Sequence, residues 1–136
     1  MTPSKSVFVV DASAAVKIVF DEPGHAEYVA WRETHKDDLL LAPVLFFSET
    51  GRAIEKHVGD RRNIPTYHAD VLADIQLEAP DRTTWDLSIP LTFYDAQYVQ
   101  LARRTGATLV TADERMAREA RAAGLDVLEI KPAQSP

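Results

Sequence analysis

Short apolar runs alternate with amphipathic stretches along the whole chain. Ser6–Val10 (SVFVV) is a run of β-branched and aromatic residues and predicts a buried strand. The apolar segment after Asp11 reads as a helix to Phe20, broken by Asp21-Glu22-Pro23-Gly24. His25 to His35 predicts an amphipathic helix, and Leu39–Ala42 a second strand. Pro43 suits the first turn of a helix that runs to Val58, with Gly59 at its end. Pro65–Ile75 reads as helix and Gln76–Ala79 as a third strand, while Asp81–Pro90 has no clear period and room for one helical turn around Trp85.

The last third is patterned more sharply. Thr92–Thr105 predicts a helix closed by Gly106, and Ala107–Ala112 (ATLVTA) a strand. Asp113–Ala123 predicts a helix closed by Gly124, and Asp126–Ile130 a final strand. Strands that alternate with helices imply a parallel sheet with helices on both faces, a three-layer α/β/α sandwich. Ligands of such sheets bind beyond the carboxyl ends of the strands.

With 136 residues the chain is expected to form one domain. Hydrophobic residues make up 46% and charged residues 26%, a globular balance that argues against disorder. No apolar run is long enough to span a bilayer, and VFVV is too short for a secretory signal. The chain has no cysteine, which excludes disulfides, thiol catalysis and thiolate-bound zinc and fits a cytoplasmic protein. A formal charge of −6 disfavours attachment to nucleic acid by net charge alone, but not a nucleic-acid enzyme whose acidic cleft is neutralised by metal.

Charge becomes informative when it is mapped onto the predicted strands. Asp11 follows FVV and Asp113 follows LVTA, so both face the same edge of a parallel sheet. Asp95 lies at the start of the helix before the second of these strands, and Glu49 in the helix after the second strand. Each acid also has an ordinary structural reading. Asp113 sits in Thr111-Ala112-Asp113-Glu114, which fits a capping box with Thr111 as N-cap. Thr92 and Asp95 share that spacing, and Glu49 is placed to pair with Arg52. Together, four such carboxylates would repel one another and resist ionising unless a cation joined them. Oxygen ligands without cysteine select a hard ion, Mg²⁺ or Mn²⁺, whose chemistry is hydrolysis of a phosphodiester. Ser13 and Thr111, each two residues from an acid, are candidates to orient ligands, or equally are local caps.

The segments VVDASAAVK, APVLFFSE, PLTFYDAQYVQLA and GATLVTADERMAREARAAGLDV resemble, in order and spacing, the successive motifs of PIN-domain ribonucleases, closest to the VapC-type toxins of toxin–antitoxin pairs. The resemblance implies a parallel five-stranded sheet, Mg²⁺- or Mn²⁺-dependent RNA cleavage, a homodimer and a cognate antitoxin protein. By position it places the acidic site on Asp11, Glu49, Asp95 and Asp113, with Ser13 and Thr111 at supporting positions. Two departures stand out. Asp81–Pro90 is shorter than the helix such proteins carry there, and Arg115 and Met116 stand where some have a further acid.

Other residues carry weaker signals. Arg52, Lys56, Arg61 and Arg62, and a second group of Arg103, Arg104, Arg115 and Arg118, are candidates for an RNA-binding rim, although exposed helix faces carry such charges anyway. Lys17 lies roughly two turns from Asp11 and could snorkel from a packed face. His25, His35, His57 and His68 lack metal-site spacing and read as surface residues. Tyr94 and Tyr98 share a helical face and, with Phe46 and Phe47, suggest core or dimer packing rather than base stacking. Two rival readings remain. One is a phospho-accepting receiver built on Asp11, Thr111 and Lys131, with only the weak QLEAPD segment to supply an acceptor at Asp81. The other is a PIN-like binding module without catalysis.

Overall fold

A computed structural model describes residues 6–81 and 89–133. Its five strands are β1 (Val7–Val10), β2 (Leu39–Pro43), β3 (Ile75–Glu78), β4 (Thr108–Thr111) and β5 (Val127–Glu129). All pair in parallel in the order β3-β2-β1-β4-β5. The helices among the described residues are α1 (Ala12–Ala15), α2 (His25–Thr34), α3 (Phe46–His57), α4 (Ile64–Leu72), α5 (Phe93–Thr105) and α6 (Glu114–Ala122). Right-handed crossovers in this strand order put α1 to α4 on one face and α5 and α6 on the other. That is the expected layered α/β arrangement.

Burial follows from the covering of both faces. Phe8, Val9 and Val10 of β1, Leu40, Leu41 and Ala42 of β2, and Leu109 and Val110 of β4 are buried as unbroken runs. The edge strands β3 and β5 are only half covered. α5 is the most enclosed helix, with Ala96 through Ala102 all buried as it crosses β1, β2 and β4. Gly106 and Gly124 take the left-handed conformation (φ 70° and 88°) just past α5 and α6, as the sequence predicts.

Several boundaries differ from the sequence reading. The helix after Asp11 lasts only from Ala12 to Ala15, continues as a 3₁₀ turn over Val16–Ile18, and ends before Phe20. Pro43 closes β2 rather than opening a helix. It pairs with Glu78 beyond the end of the β1 pairing, so its missing N–H breaks no bond to the central strand. α3 then starts at Phe46, and it leaves the helical path at Val58, before Gly59. Ile75 opens β3 instead of closing α4, because Asp74 reverses the chain at φ 64°, a conformation a short polar side chain tolerates. The turn expected around Trp85 falls outside the described residues.

Leu109 is fully buried at the centre of the sheet. Leu109→Ala is expected to lower unfolding free energy by about 3 kcal/mol in urea denaturation. A loss below about 1 kcal/mol would contradict the two-sided packing.

Candidate active site

The strand order reverses between β1 and β4, and the chain places acids at that switch point. Asp11 leaves β1 with its backbone N–H donated to Val110 O at 2.8 Å. Its side chain is 5% exposed. One carboxylate oxygen, Oδ2, takes both neighbouring hydroxyls, Ser13 Oγ at 2.5 Å and Thr111 Oγ1 at 2.8 Å. Both hydroxyls also accept backbone N–H groups of the β4–α6 turn, Ser13 from Ala112 and Thr111 from Asp113, each at 3.0 Å. The two loop ends are thereby stitched together through Asp11. Thr111 is therefore not the N-cap read from the sequence. The cap is Asp113 itself, whose Oδ1 accepts the Met116 N–H at 3.1 Å, because Thr111 still belongs to β4.

The other two acids come from helices. Asp95 sits in the first turn of α5, where the Thr92 hydroxyl caps its N–H at 3.2 Å, as the spacing predicts. Glu49 lies in the first turn of α3 and accepts the Tyr98 phenol at 2.6 Å rather than pairing with Arg52. Tyr98 is the site residue that sequence reasoning left as packing. It is buried, as a core residue should be, but the bond from α5 to α3 spans 49 residues and has no local signature.

Electrostatics show that these acids share one environment. Burial raises the Asp11 carboxyl to about 6, against the relief from Ser13 and Thr111, and the charges of Asp95 and Asp113 push the same way. Glu49 is raised by burial and by Asp11 and Asp95, partly offset by Tyr98. Asp95 is raised by burial and by Asp113, while Arg115 opposes the shift. Among the described residues, however, no three acids or imidazoles are drawn into a ready-made cation cage. The donor set is all oxygen, and Asp11, Glu49 and Asp95 resist ionising in this setting. That chemistry fits a hard divalent ion, whose charge would remove the repulsion.

The candidate rim divides. Arg52 is exposed and lines a groove with Leu45, Ser48, Glu49 and Tyr94, and Lys56 lies exposed one turn further along α3. Arg115 donates to Pro90 O at 3.1 Å beside the acids. The remaining described partners are structural: Arg61 pairs with Glu55, Arg62 with Asp60, Arg104 with Asp81 and Arg118 with Glu119. Lys17 is turned to Glu22 and the Pro23 carbonyl. His35 and His68 are not simple surface residues. His35 packs on Phe8 and Trp31 and bonds Asp38, while His68 bonds the buried Thr50. Phe46 is wholly buried and so unavailable to a dimer, whereas Phe47 (52%) and Tyr94 (62%) are exposed.

The fold is thus a parallel α/β sheet with acidic side chains beyond the carboxyl ends of its central strands. The PIN domain family model matches residues 8–122, and the chain belongs to that family. The fold is shared by PAE2754 of Pyrobaculum aerophilum, 25% identical with a TM-score of 0.67 over 90% of this chain and 83% of that one. It is shared too by VapC20 of Mycobacterium tuberculosis, a toxin that cleaves the sarcin-ricin loop (18% identity, TM-score 0.67, 93% and 100% covered). A third neighbour is VapBC2 of Rickettsia felis, solved with a DNA fragment from its promoter (12% identity, TM-score 0.69, 90% and 98% covered). No curated sequence relative matches the chain. The PIN resemblance read from the motifs is thus borne out.

The raised Asp11 carboxyl fixes a sign for stability. Folding favours its protonated form, so its contribution is complete below the unfolded value of 3.8 and is lost as pH rises through about 6. The shift corresponds to about 3 kcal/mol. In EDTA, Asp11→Asn should gain on the wild type by about that amount between pH 4 and pH 7.5, read by urea denaturation. A stability difference independent of pH would contradict the buried, repelled carboxylate.

Proposed function

We propose that this protein is a Mg²⁺- or Mn²⁺-dependent endoribonuclease, the toxin of a VapBC-type toxin–antitoxin pair. The observation that carries the reading is the convergence of Asp11 and Asp113, from the central strands, with Asp95 and Glu49, from two helices, in one mutually repelling group. These four residues would hold the ion, which when bound supplies positive charge at the scissile phosphate and acidifies a water for attack at neutral pH. Ser13 and Thr111 hold Asp11 by one oxygen and leave Oδ1 for ligation. Arg52 and Arg115 lie beside the acids and Lys56 one turn beyond Arg52 on α3, and these cations would receive backbone phosphates. Burial of Asp11 to 5% exposure limits water around its charge, which would strengthen its attraction for a bound cation.

The receiver reading is set aside. β3 is an edge strand separated from β1 by β2, and Asp81 beyond it pairs with Arg104, so the proposed acceptor does not stand beside Asp11. Lys131 pairs with Glu129. An antitoxin partner is supported by VapBC2 and by the similar FitAB, whose structures were solved on DNA. No helix among the described residues is long and apolar enough to cross a membrane, in keeping with a cytoplasmic RNA target. We read residues 1–136 as a single PIN-like unit that pairs as a homodimer through exposed apolar side chains including Val44, Phe47 and Tyr94.

Two measurements check this. Wild-type protein with Mg²⁺ or Mn²⁺ should cleave a mixed cellular RNA pool, and Asp95→Asn, still folded, should lose about 10²-fold or more of that rate. EDTA-resistant cleavage, or equal cleavage by the variant, would refute the mechanism. Light scattering should report twice the 15.1 kDa chain mass, and a clean monomer at micromolar concentration would refute the dimer.

A further inference from the structure

Tyr98 occupies a position that core packing alone does not explain. Its ring is fully buried on α5, three residues after Asp95, yet its hydroxyl reaches out of the core to Glu49 Oε1 on α3 at 2.6 Å. The Ala12 backbone N–H, next to Asp11, faces the same phenol oxygen. One hydroxyl on α5 therefore bonds the first turn of α3 beside the start of α1, joining the helices that carry Asp95 and Glu49 next to Asp11. A buried hydroxyl needs a partner, and a carboxylate is the strongest acceptor at hand.

We propose that Tyr98 is a positioning residue of the acidic site: by donating to Glu49 Oε1 it anchors that carboxylate beside Asp11 and Asp95 and leaves Oε2 to serve the site. This rests on the ribonuclease reading above and adds to it a residue that touches neither ion nor RNA. Glu49 is the half-buried acid on a long, flexible side chain, and no other described group bonds its carboxylate. Without the phenol it would be free to swing into the groove lined by Arg52 and Tyr94. The phenol stays neutral throughout, because burial and the neighbouring acids push its ionisation far upward. It acts as a fixed donor, not as a proton shuttle.

The test is Tyr98→Phe, which keeps the ring in the core, taken alone and in a Glu49→Gln background. Far-UV circular dichroism and a metal-free melt establish that the variants fold. Mn²⁺ is then titrated by thermal shift, without RNA, and cleavage of a fixed RNA is measured with kcat and KM separated. Tyr98→Phe should raise the Mn²⁺ concentration for half-maximal shift about fivefold or more and lower kcat about tenfold, with KM for RNA nearly unchanged. In the Glu49→Gln background the same change should have little further effect, because the residue acts through Glu49. Equal losses in both backgrounds would show a general packing role and overturn the proposal. So would unchanged Mn²⁺ titration and kcat while the wild type cleaves normally. If the wild type itself neither shifts with Mn²⁺ nor cleaves RNA, the ribonuclease reading fails first and the proposal falls with it.

Discussion

The structure turns on a carboxylate kept where it resists being charged. Asp11 ends the central strand with almost no exposure, and two hydroxyls converge on one of its oxygens. Burial, with the charges of Asp95 and Asp113, outweighs the two hydroxyls and raises the carboxyl to about 6. An acid placed this way costs stability when ionised at neutral pH, and acids perturbed in this way cluster at functional sites. A bound cation is the simplest agent that reverses the sign.

The rest of the fold serves that placement. Strand order brings β4 against β1, which sets Thr111 opposite Asp11 and starts α6 at Asp113. α5, the most enclosed helix, carries Asp95 at its exposed end and Tyr98 in its buried middle. α3 offers Glu49 from the other direction. Residues far apart in the chain thus meet over one sheet edge, each held by a backbone cap or a hydroxyl rather than by a salt bridge. Opposite charges would neutralise the acids and leave no affinity for an ion. Arg115 is the described cation that the acids feel most clearly, and its guanidinium is also bonded to the Pro90 carbonyl.

Much of this was legible in the linear pattern. Apolar runs such as SVFVV and ATLVTA mark strands covered on both faces, and Gly106 and Gly124 mark helix ends through their positive φ. Acids directly after such runs mark the sheet edge where ligands bind. Boundaries failed where a local rule had two outcomes. Pro43 can open a helix or end a strand outside the ladder, and only the pairing with Glu78 decides. Asp74 is a residue type that tolerates turns but also occurs in helices, and its left-handed backbone moves Ile75 from helix to strand. The roles of Thr111 and Tyr98 depend on partners 100 and 49 residues away, which no window of sequence contains. Local capping rules therefore chose Thr111 instead of Asp113 as the cap of α6, and periodicity grouped Tyr98 with Tyr94 although one is buried and the other exposed.

The central claim is that the acids over the β1–β4 junction hold a divalent ion through the oxygen of Asp11 that the hydroxyls leave open. The most direct measurement is an anomalous difference map from crystals soaked in Mn²⁺ at neutral pH. The account predicts a peak bonded to Asp11 Oδ1 and to at least one of Asp95, Asp113 and Glu49, with Ser13 and Thr111 still on Oδ2. Manganese bound elsewhere on the protein, with none at Asp11, would contradict it.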